Sequence, residues 1–251
     1  MEFFESFGVT STAGFLLLGF FIGMIHAMET DHLAAIGTLA TENKKQLVLR
    51  GAVWGLGHTT TLLILSSAVV LFSFVLTEAV AAAFEFAVGI MLVILGADVL
   101  RRMRRQKVHI HVHSHGEHKT HIHIHAHEDR GAGHTHALDD HAHAHAHDNG
   151  FPVKALIIGL VHGAAGSAAV IVLAATAAGS AAVALGYVAL VGVGSIVGMA
   201  SLSAVISLPL GMAPKNIKWL NISAKLLIAT VAIVFGTTIM LETGAMAWEL
   251  F

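Results

Sequence analysis

Histidine is the residue type in this sequence that could do chemistry. The chain of 251 residues carries nineteen histidines, more than its fourteen lysines and arginines together, and no cysteine. Thiolate metal sites, disulfides and redox motifs are therefore excluded. Because neutral imidazole is a common ligand for borderline transition metals, this abundance of histidine indicates metal handling.

Four of the histidines and four acids fall inside apolar segments. Two of the acids, Glu85 and Asp98, have no histidine beside them in sequence and are interpreted as packing or interfacial groups. A charged group near the centre of a bilayer costs about 3 kcal/mol on insertion scales, so such residues usually have a function. Imidazole and carboxylate donors without thiolate suit Ni(II), Co(II), Zn(II) or Fe(II). Taken singly, each residue could instead be a polar packing group. As a set they predict an intramembrane metal site formed by His26, Glu29, Asp31, His32, His58 and His162.

The spacing within the first apolar segment raises a geometric question. On an ideal helix, His26, Glu29 and His32 share one arc, while Asp31 points elsewhere. The arc rises about 9 Å along the axis, which is too far for one ion to contact all three side chains. Either the helix is broken near Thr30, where Thr30 and Asp31 would cap a second helix, or His26 and His32 serve successive positions along a path. The sequence leaves both interpretations open.

The other fifteen histidines lie in one polar segment, residues 101–152. Blocks of His-x-His have a period of two, which places the imidazoles of a block on one face of an extended strand. Short strands are therefore an expectation for the metal-bound loop, and its metal affinity should fall as the pH falls through about 6.5. The alternative is a solvated low-complexity linker. The predicted auxiliary metal ligands are His109, His111, His113, His115, His121, His123, His125, His127, His141, His143, His145 and His147.

The elements that must position these residues are membrane helices. A chain that is 55% hydrophobic and 12% charged is not an ordinary soluble domain, which is about a quarter charged. A helix needs roughly 20 apolar residues to cross a bilayer. Six stretches of the sequence qualify, and they predict an all-α polytopic membrane protein. They are residues 12–40, 48–76, 79–100, 154–178, 181–211 and 219–241.

The basic residues predict the orientation of these spans. All fourteen lysines and arginines flank the connections between spans one and two, three and four, and five and six. By the positive-inside rule this side is cytoplasmic, which places both termini outside and the histidine-rich loop inside the cell. We therefore expect a multi-pass protein of the plasma membrane that contacts lipid and metal ions and no nucleic acid.

The two halves of the chain resemble each other. The segment from Ile22 to Ala27 is similar to the segment from Ile158 to Gly163, and Gly-Leu-Gly-His58 is similar to Gly-Val-Gly-Ser195. Three spans in each half would make the halves an inverted 3+3 repeat, an arrangement that places transporter sites near the membrane midplane. Chance alignment of glycine-rich spans is the alternative. The predicted units are a membrane repeat at 1–100, the loop at 101–152 and a second repeat at 153–251.

Three motifs carry a resemblance to a known family. The segment His26-Ala-Met-Glu-Thr-Asp31-His32 is similar to the His-x4-Asp-His signature of the nickel/cobalt transporter superfamily. Trp-Gly-Leu-Gly-His58 resembles its second signature, and the segment from Leu160 to Ser167 resembles the fourth-span motif of its UreH-like branch. The resemblance implies Ni²⁺ or Co²⁺ as cargo. It also implies that His26, Asp31, His32 and His58 handle the metal.

This chain departs from the typical uptake members at two places. Those members carry Asp where Glu29 stands, and Asp-Asn where Gly37 and Thr38 stand. The metal preference and the direction of transport are therefore left open by the resemblance, with Zn²⁺ and Fe²⁺ also compatible with the donors.

These observations predict a secondary transporter of Ni²⁺ or Co²⁺ with no prosthetic group. The sequence contains no nucleotide-binding P-loop, and no His-Glu-x-x-His pair of a metalloenzyme occurs in its spans, so we do not expect an enzyme. One alternative is an efflux protein for nickel, cobalt or zinc. Another is a membrane-anchored metal store or chaperone, whose partners would be urease or hydrogenase maturation proteins.

Overall fold

A computed structural model describes seven helices and two strands. The described residues are 11–39, 44–105, 108–114, 120–126, 152–165, 180–212 and 218–249. The elements are α1 (Thr12–His26), α2 (Thr30–Leu39), α3 (Lys44–Phe72), α4 (Glu78–Arg105), β1 (Val108–Ser114), β2 (Thr120–Ala126), α5 (Val153–Ala165), α6 (Ala181–Met212) and α7 (Lys218–Trp248).

Four of these helices, α3, α4, α6 and α7, are long and apolar enough to cross a membrane. Helices α1 and α2 pass the same test only together, as a pair bent by 58°, and α5 is a shorter apolar helix. The structure thus supports four spans, or five if the bent pair is one span, against the six predicted. Residues 166–178 of the predicted fourth span lie outside the described part of the chain.

The break between α1 and α2 is built from tight turns. The amide of Met28 donates to the carbonyl of Ile25, and the amide of Glu29 donates to the carbonyl of His26, which ends α1. Helix α2 then begins at Thr30, and the Asp31 carboxylate accepts a hydrogen bond from the His32 amide at 2.8 Å. Of the two interpretations that the sequence left open, the structure has the broken helix.

Helices from the two halves pack against each other closely at glycines. Helix α1 packs on α6, and α5 packs on α3. A Cβ atom at Gly23 of α1 would overlap the carbonyl oxygen of Val191, and a Cβ atom at Gly159 of α5 would overlap that of Trp54. Small residues allow this close approach of helix backbones in membrane proteins.

The remaining helix contacts continue the same pattern. Helix α3 packs on α6, and α4 packs on α7, where Gly89 and Gly236 face each other. Helix α2 contacts α7 and α5 contacts α4, so each short helix touches the last long helix of the opposite half. The main buried core includes Trp54, Leu92 and Met199, which come from α3, α4 and α6.

The histidine-rich loop contains an antiparallel hairpin, which adds two strands to the otherwise helical fold. In its register His109 pairs with His125, His111 with His123, and His113 with His121. The alternation of histidine with isoleucine and valine, which favour strands, accounts for this local structure. The other predicted loop ligands lie outside the described residues. They are His115, His127, His141, His143, His145 and His147.

Candidate metal centre

The helix break brings three imidazole rings together. His26 is the last residue of α1, His32 lies in the first turn of α2, and His58 lies within α3. The ring centroids are 4.7 Å apart for His26 and His32, 5.2 Å for His26 and His58, and 5.4 Å for His32 and His58. On an unbroken helix His26 and His32 would be about 9 Å apart along the axis, so the break creates the cluster.

A fourth histidine joins from the second half of the chain. His162 of α5 has its ring centroid 4.4 Å from that of His32 and 6.4 Å from that of His58. All four rings are buried, with exposed fractions between 0% and 8%. The close packing of α5 on α3 holds this arrangement, because Gly163 lies directly against the backbone of His58.

Asp31 lies between two of these histidines. Its Oδ2 atom is 2.7 Å from Nε2 of His162, and its Oδ1 atom is 3.2 Å from Nδ1 of His32. Helical periodicity had pointed Asp31 away from the other site residues. That direction holds only for a continuous helix; Asp31 reaches the cluster because α2 begins a new helix direction at Thr30 and because His162 comes from a helix 131 residues away in sequence.

Glu29 connects the cluster with the surface of the protein. Its Oε1 atom is 2.8 Å from Nδ1 of His26, and its side chain is 57% exposed while His26 is 8% exposed. All six residues that the sequence predicted as a metal site are therefore within one connected group of contacts. Two subsets each present ligand atoms within 4.8 Å of one another. They are His26, His32 and His58, and Asp31, His32 and His162.

Several imidazole nitrogens of the cluster are buried without a hydrogen-bond partner. They are Nε2 of His26, both ring nitrogens of His32, both ring nitrogens of His58 and Nδ1 of His162. A buried polar atom left unpaired costs about 1–3 kcal/mol, so native proteins keep few of them. Their concentration at one point indicates a site for a ligand that accepts nitrogen lone pairs, which is the behaviour of a transition-metal ion.

Trp54 forms one wall of the cluster and was missed by the sequence reasoning. Its indole ring is fully buried, with its centroid 5.2 Å from that of His32 and 5.7 Å from that of His162. The available signal was its position one helical turn before His58, on the same face of α3.

Basic residues hold the end of α2 that is remote from the cluster. Arg50 donates to the carbonyl of Leu39 and Arg102 to that of Thr38, so two orphan carbonyls of the helix end are satisfied. Asp98 pairs with Arg102 at 3.2 Å and with Lys154 at 2.7 Å, which ties α4 to the start of α5. Helix α2 is thus fixed at both ends, by Asp31 at the cluster and by arginines at its C-terminus.

Membrane-length apolar helices around a buried histidine and carboxylate cluster define a polytopic membrane protein with a candidate metal centre. The chain is 33% identical over 232 residues to the urease accessory protein UreH of Bacillus sp. (strain TB-90), a match that covers 91% of each chain. The chain belongs to the UreH branch of the nickel/cobalt transporter superfamily. The resemblance seen in its motifs is therefore confirmed. No family model and no solved structure matches the chain.

Proposed function

We propose that this protein is a secondary transporter that carries Ni²⁺ or Co²⁺ across the plasma membrane through the buried cluster. The observation that carries the proposal is the 58° bend, which brings His26 and His32 to His58 inside a bundle of apolar helices. Buried ionisable residues at such places commonly mark ion pathways. The relative is named as a urease accessory protein, which favours nickel because urease is a nickel enzyme.

The location of the donors favours a carrier over a metal store. A store anchored by its helices needs donors only in the polar loop, whereas this chain buries four imidazoles between helices, with the partly buried Asp31 carboxylate beside them. The hairpin pairs three histidines of β1 with three of β2, so the loop supplies further donors in register. In this proposal the loop is cytoplasmic and collects ions on that side of the membrane.

The packing of the helices supports an inverted repeat of three elements in each half. Gly23 packs against the carbonyl oxygen of Val191, and Gly159 packs against that of Trp54. In the alignment of the two halves Gly23 corresponds to Gly159, and Val191 corresponds to Trp54. The correspondence extends to two further glycines. Gly57 meets the carbonyl of Leu156 as Gly194 meets the carbonyl of Phe20. Rocking of one repeat against the other would expose the site alternately to the two sides.

Flux measurements on purified protein in vesicles test the proposal. We expect Ni²⁺ or Co²⁺ flux with the wild-type protein, and flux at the level of empty vesicles with His32→Ala or His58→Ala. Glu85→Gln is the matched control, because Glu85 is an exposed acid of α4 outside the cluster. Imposed pH and voltage gradients identify the ion to which metal transport is coupled and the direction of transport.

Deletion of residues 109–147 separates the carrier from the store. The carrier keeps its flux without the loop and loses it in His58→Ala. Loss of metal handling on deletion, with normal behaviour of His58→Ala, would show that the protein is a store or chaperone.

A further inference from the structure

We propose that the six residues of the cluster divide into two roles, which deepens the function proposed above and rests on it. His26, His32 and His58 are the metal ligands, through one nitrogen each. Glu29, Asp31 and His162 are positioning residues that fix the orientation and the protonated nitrogen of those ligands. The transported ion therefore binds to neutral imidazoles. The negative charges that compensate it, on Glu29 and Asp31, do not contact the ion directly.

The contact between Glu29 and His26 assigns the ligand nitrogen of His26. The Nδ1–H group of His26 donates to Oε1 of Glu29 at 2.8 Å, so the lone pair of the neutral ring is on Nε2. That Nε2 atom is buried and has no hydrogen-bond partner. A carboxylate that takes the second N–H group of a histidine ligand is the usual outer-shell arrangement at metal sites.

Asp31 is held in place by hydrogen bonds on both of its oxygens. Oδ2 accepts from Nε2 of His162 at 2.7 Å, and Oδ1 accepts from the backbone amide of His32 at 2.8 Å. Oδ1 also lies 3.2 Å from Nδ1 of His32, although neither ring nitrogen of His32 has a hydrogen-bond partner. Because Nδ1 faces the carboxylate, we assign Nε2 as the ligand atom of this ring. To bind the ion directly, Asp31 would have to give up these contacts.

His58 completes the ligand set without a carboxylate. Both of its ring nitrogens are buried and unpaired within the described part of the chain. The planes of His32 and His58 are inclined by 73°, and those of His26 and His32 by 75°, so the rings do not stack. Inclined rings allow their nitrogens to point at one ion, and the three residues offer ligand atoms within 4.8 Å of one another.

The alternative set of Asp31, His32 and His162 is less suited to an ion. Its closest pair, Oδ2 of Asp31 and Nε2 of His162, already forms a 2.7 Å hydrogen bond. His162 is also distant from His58, at 6.4 Å between centroids, so it does not extend the first set. Its Nε2 contact fits a role in holding Asp31, and its unpartnered Nδ1 lies outside the set of ligand atoms that His26, His32 and His58 bring within 4.8 Å of one another.

This division of roles predicts the class of ion that the site selects. Three nitrogen donors favour Ni²⁺, Co²⁺, Cu²⁺ and Zn²⁺ over Mg²⁺, Ca²⁺ and Mn²⁺, which prefer oxygen ligands. The charges of Glu29 and Asp31 balance the dication from outside the ligand shell. Three protein ligands also leave coordination positions open, through which an ion can be gained and lost.

X-ray absorption at the metal edge tests the assignment by counting imidazoles around bound Co²⁺ or Ni²⁺. The sample is the full-length chain with the fifteen histidines of 101–152 changed to glutamine, so that only the cluster contributes imidazole. We expect three imidazoles. A count of four that falls to three in His162→Gln would overturn the assignment, because His162 would then be a ligand.

The positioning residues have a separate signature. Asp31→Asn, Glu29→Gln and His162→Gln should keep three imidazoles and weaken the Kd by about 10–100-fold, the usual cost of an outer-shell change. His58→Ala should reduce the count to two, and Glu85→Gln should change neither quantity. Infrared spectra test whether Asp31 itself binds the ion. If metal shifts the carboxylate bands of the wild-type protein and this shift is absent in Asp31→Asn, Asp31 is a ligand and the proposal is contradicted, even where the imidazole count stays at three.

The two proposals fail separately in these experiments. Three imidazoles around a bound ion, combined with no flux in vesicles, would refute transport and leave the assignment of ligands intact. Flux with a four-imidazole site would support transport and refute the division of roles.

Discussion

The two halves of this molecule pack alike and differ in chemistry. Gly23 and Gly159 contact equivalent backbone carbonyls in the opposite half, those of Val191 and Trp54. The polar residues are repeated only in part. His26 in the first half corresponds to His162 in the second, but the first half places His58 where the second half places Ser195. Among the described residues the buried histidines form one cluster, to which the second half contributes His162.

The difference shows which residues are needed for the framework and which for the metal. Ser195 donates to the carbonyl of Gly23, a contact within the packed α1 and α6 pair. His58, at the corresponding position, has no hydrogen-bond partner for its ring within the described residues. The hydroxyl of Ser195 is therefore hydrogen-bonded within the helix packing, whereas the ring nitrogens of His58 are left for a ligand.

The largest effect is expected from making the first half resemble the second at this position. His58→Ser removes one of three imidazoles, so we expect the metal Kd to weaken by more than about 100-fold, beyond the cost of an outer-shell change. Titration of the purified protein with Co²⁺ measures it. Ser195→Ala is the matched control and should leave the Kd unchanged. Equal effects of the two changes would remove the distinction between the halves.

A large effect on folding is expected from the glycines that both halves share. A valine side chain at Gly23 or at Gly159 would overlap a backbone carbonyl of the opposing helix, so the helices must separate. Overpacking of this kind costs about 1–3 kcal/mol or more. The yield of monodisperse protein after detergent extraction should fall similarly for both variants. Gly186→Ala, whose Cβ would be in ordinary contact at 3.5 Å, should behave as wild type.

An intermediate effect is expected from the exposed acid at the helix break. Glu29→Gln keeps an oxygen acceptor for Nδ1 of His26 but removes one of the charges that balance the ion. We expect a roughly 10-fold loss of affinity for Co²⁺, near the lower limit for outer-shell changes. Calorimetric titration measures it. An unchanged affinity would show that Glu29 has no part in the cluster.

The smallest effect on transport is expected from the loop. Deletion of residues 109–147 should remove most of the metal-binding capacity and change the initial flux by less than about three-fold. Because neutral imidazole is the ligand, loop binding should be full above about pH 6.5 and decline below it. Equilibrium dialysis of the wild-type and deleted proteins at several pH values measures the capacity. A flux that disappears with the loop would reverse the relative importance of the two histidine groups.

Local features of the sequence were sufficient to predict the class of protein and the members of the cluster. Apolar length indicated the long helices, and the spacing from His26 to His32 indicated that a continuous helix could not bring both to one ion. The capping residues Thr30 and Asp31 indicated where a break would fall, and the structure has it there.

Contacts between distant parts of the chain were not predictable in this way. The position of Asp31 depends on the 58° bend and on a partner 131 residues away, and neither is encoded in helical periodicity. The helical spacing places Trp54 on the same face as His58, but it does not show that the rings of His32 and His162 lie against it. The number of six spans stays a prediction, because the described helices supply four or five and residues 166–178 of the predicted fourth span lie outside the described part of the chain.

Anomalous diffraction from protein loaded with one equivalent of Co²⁺ tests the central claim most directly. We expect one peak bounded by Nε2 of His26, Nε2 of His32 and a ring nitrogen of His58, at about 2.1 Å from each, the usual distance for imidazole ligands. A cluster that stays empty while the hairpin alone carries cobalt would contradict the account.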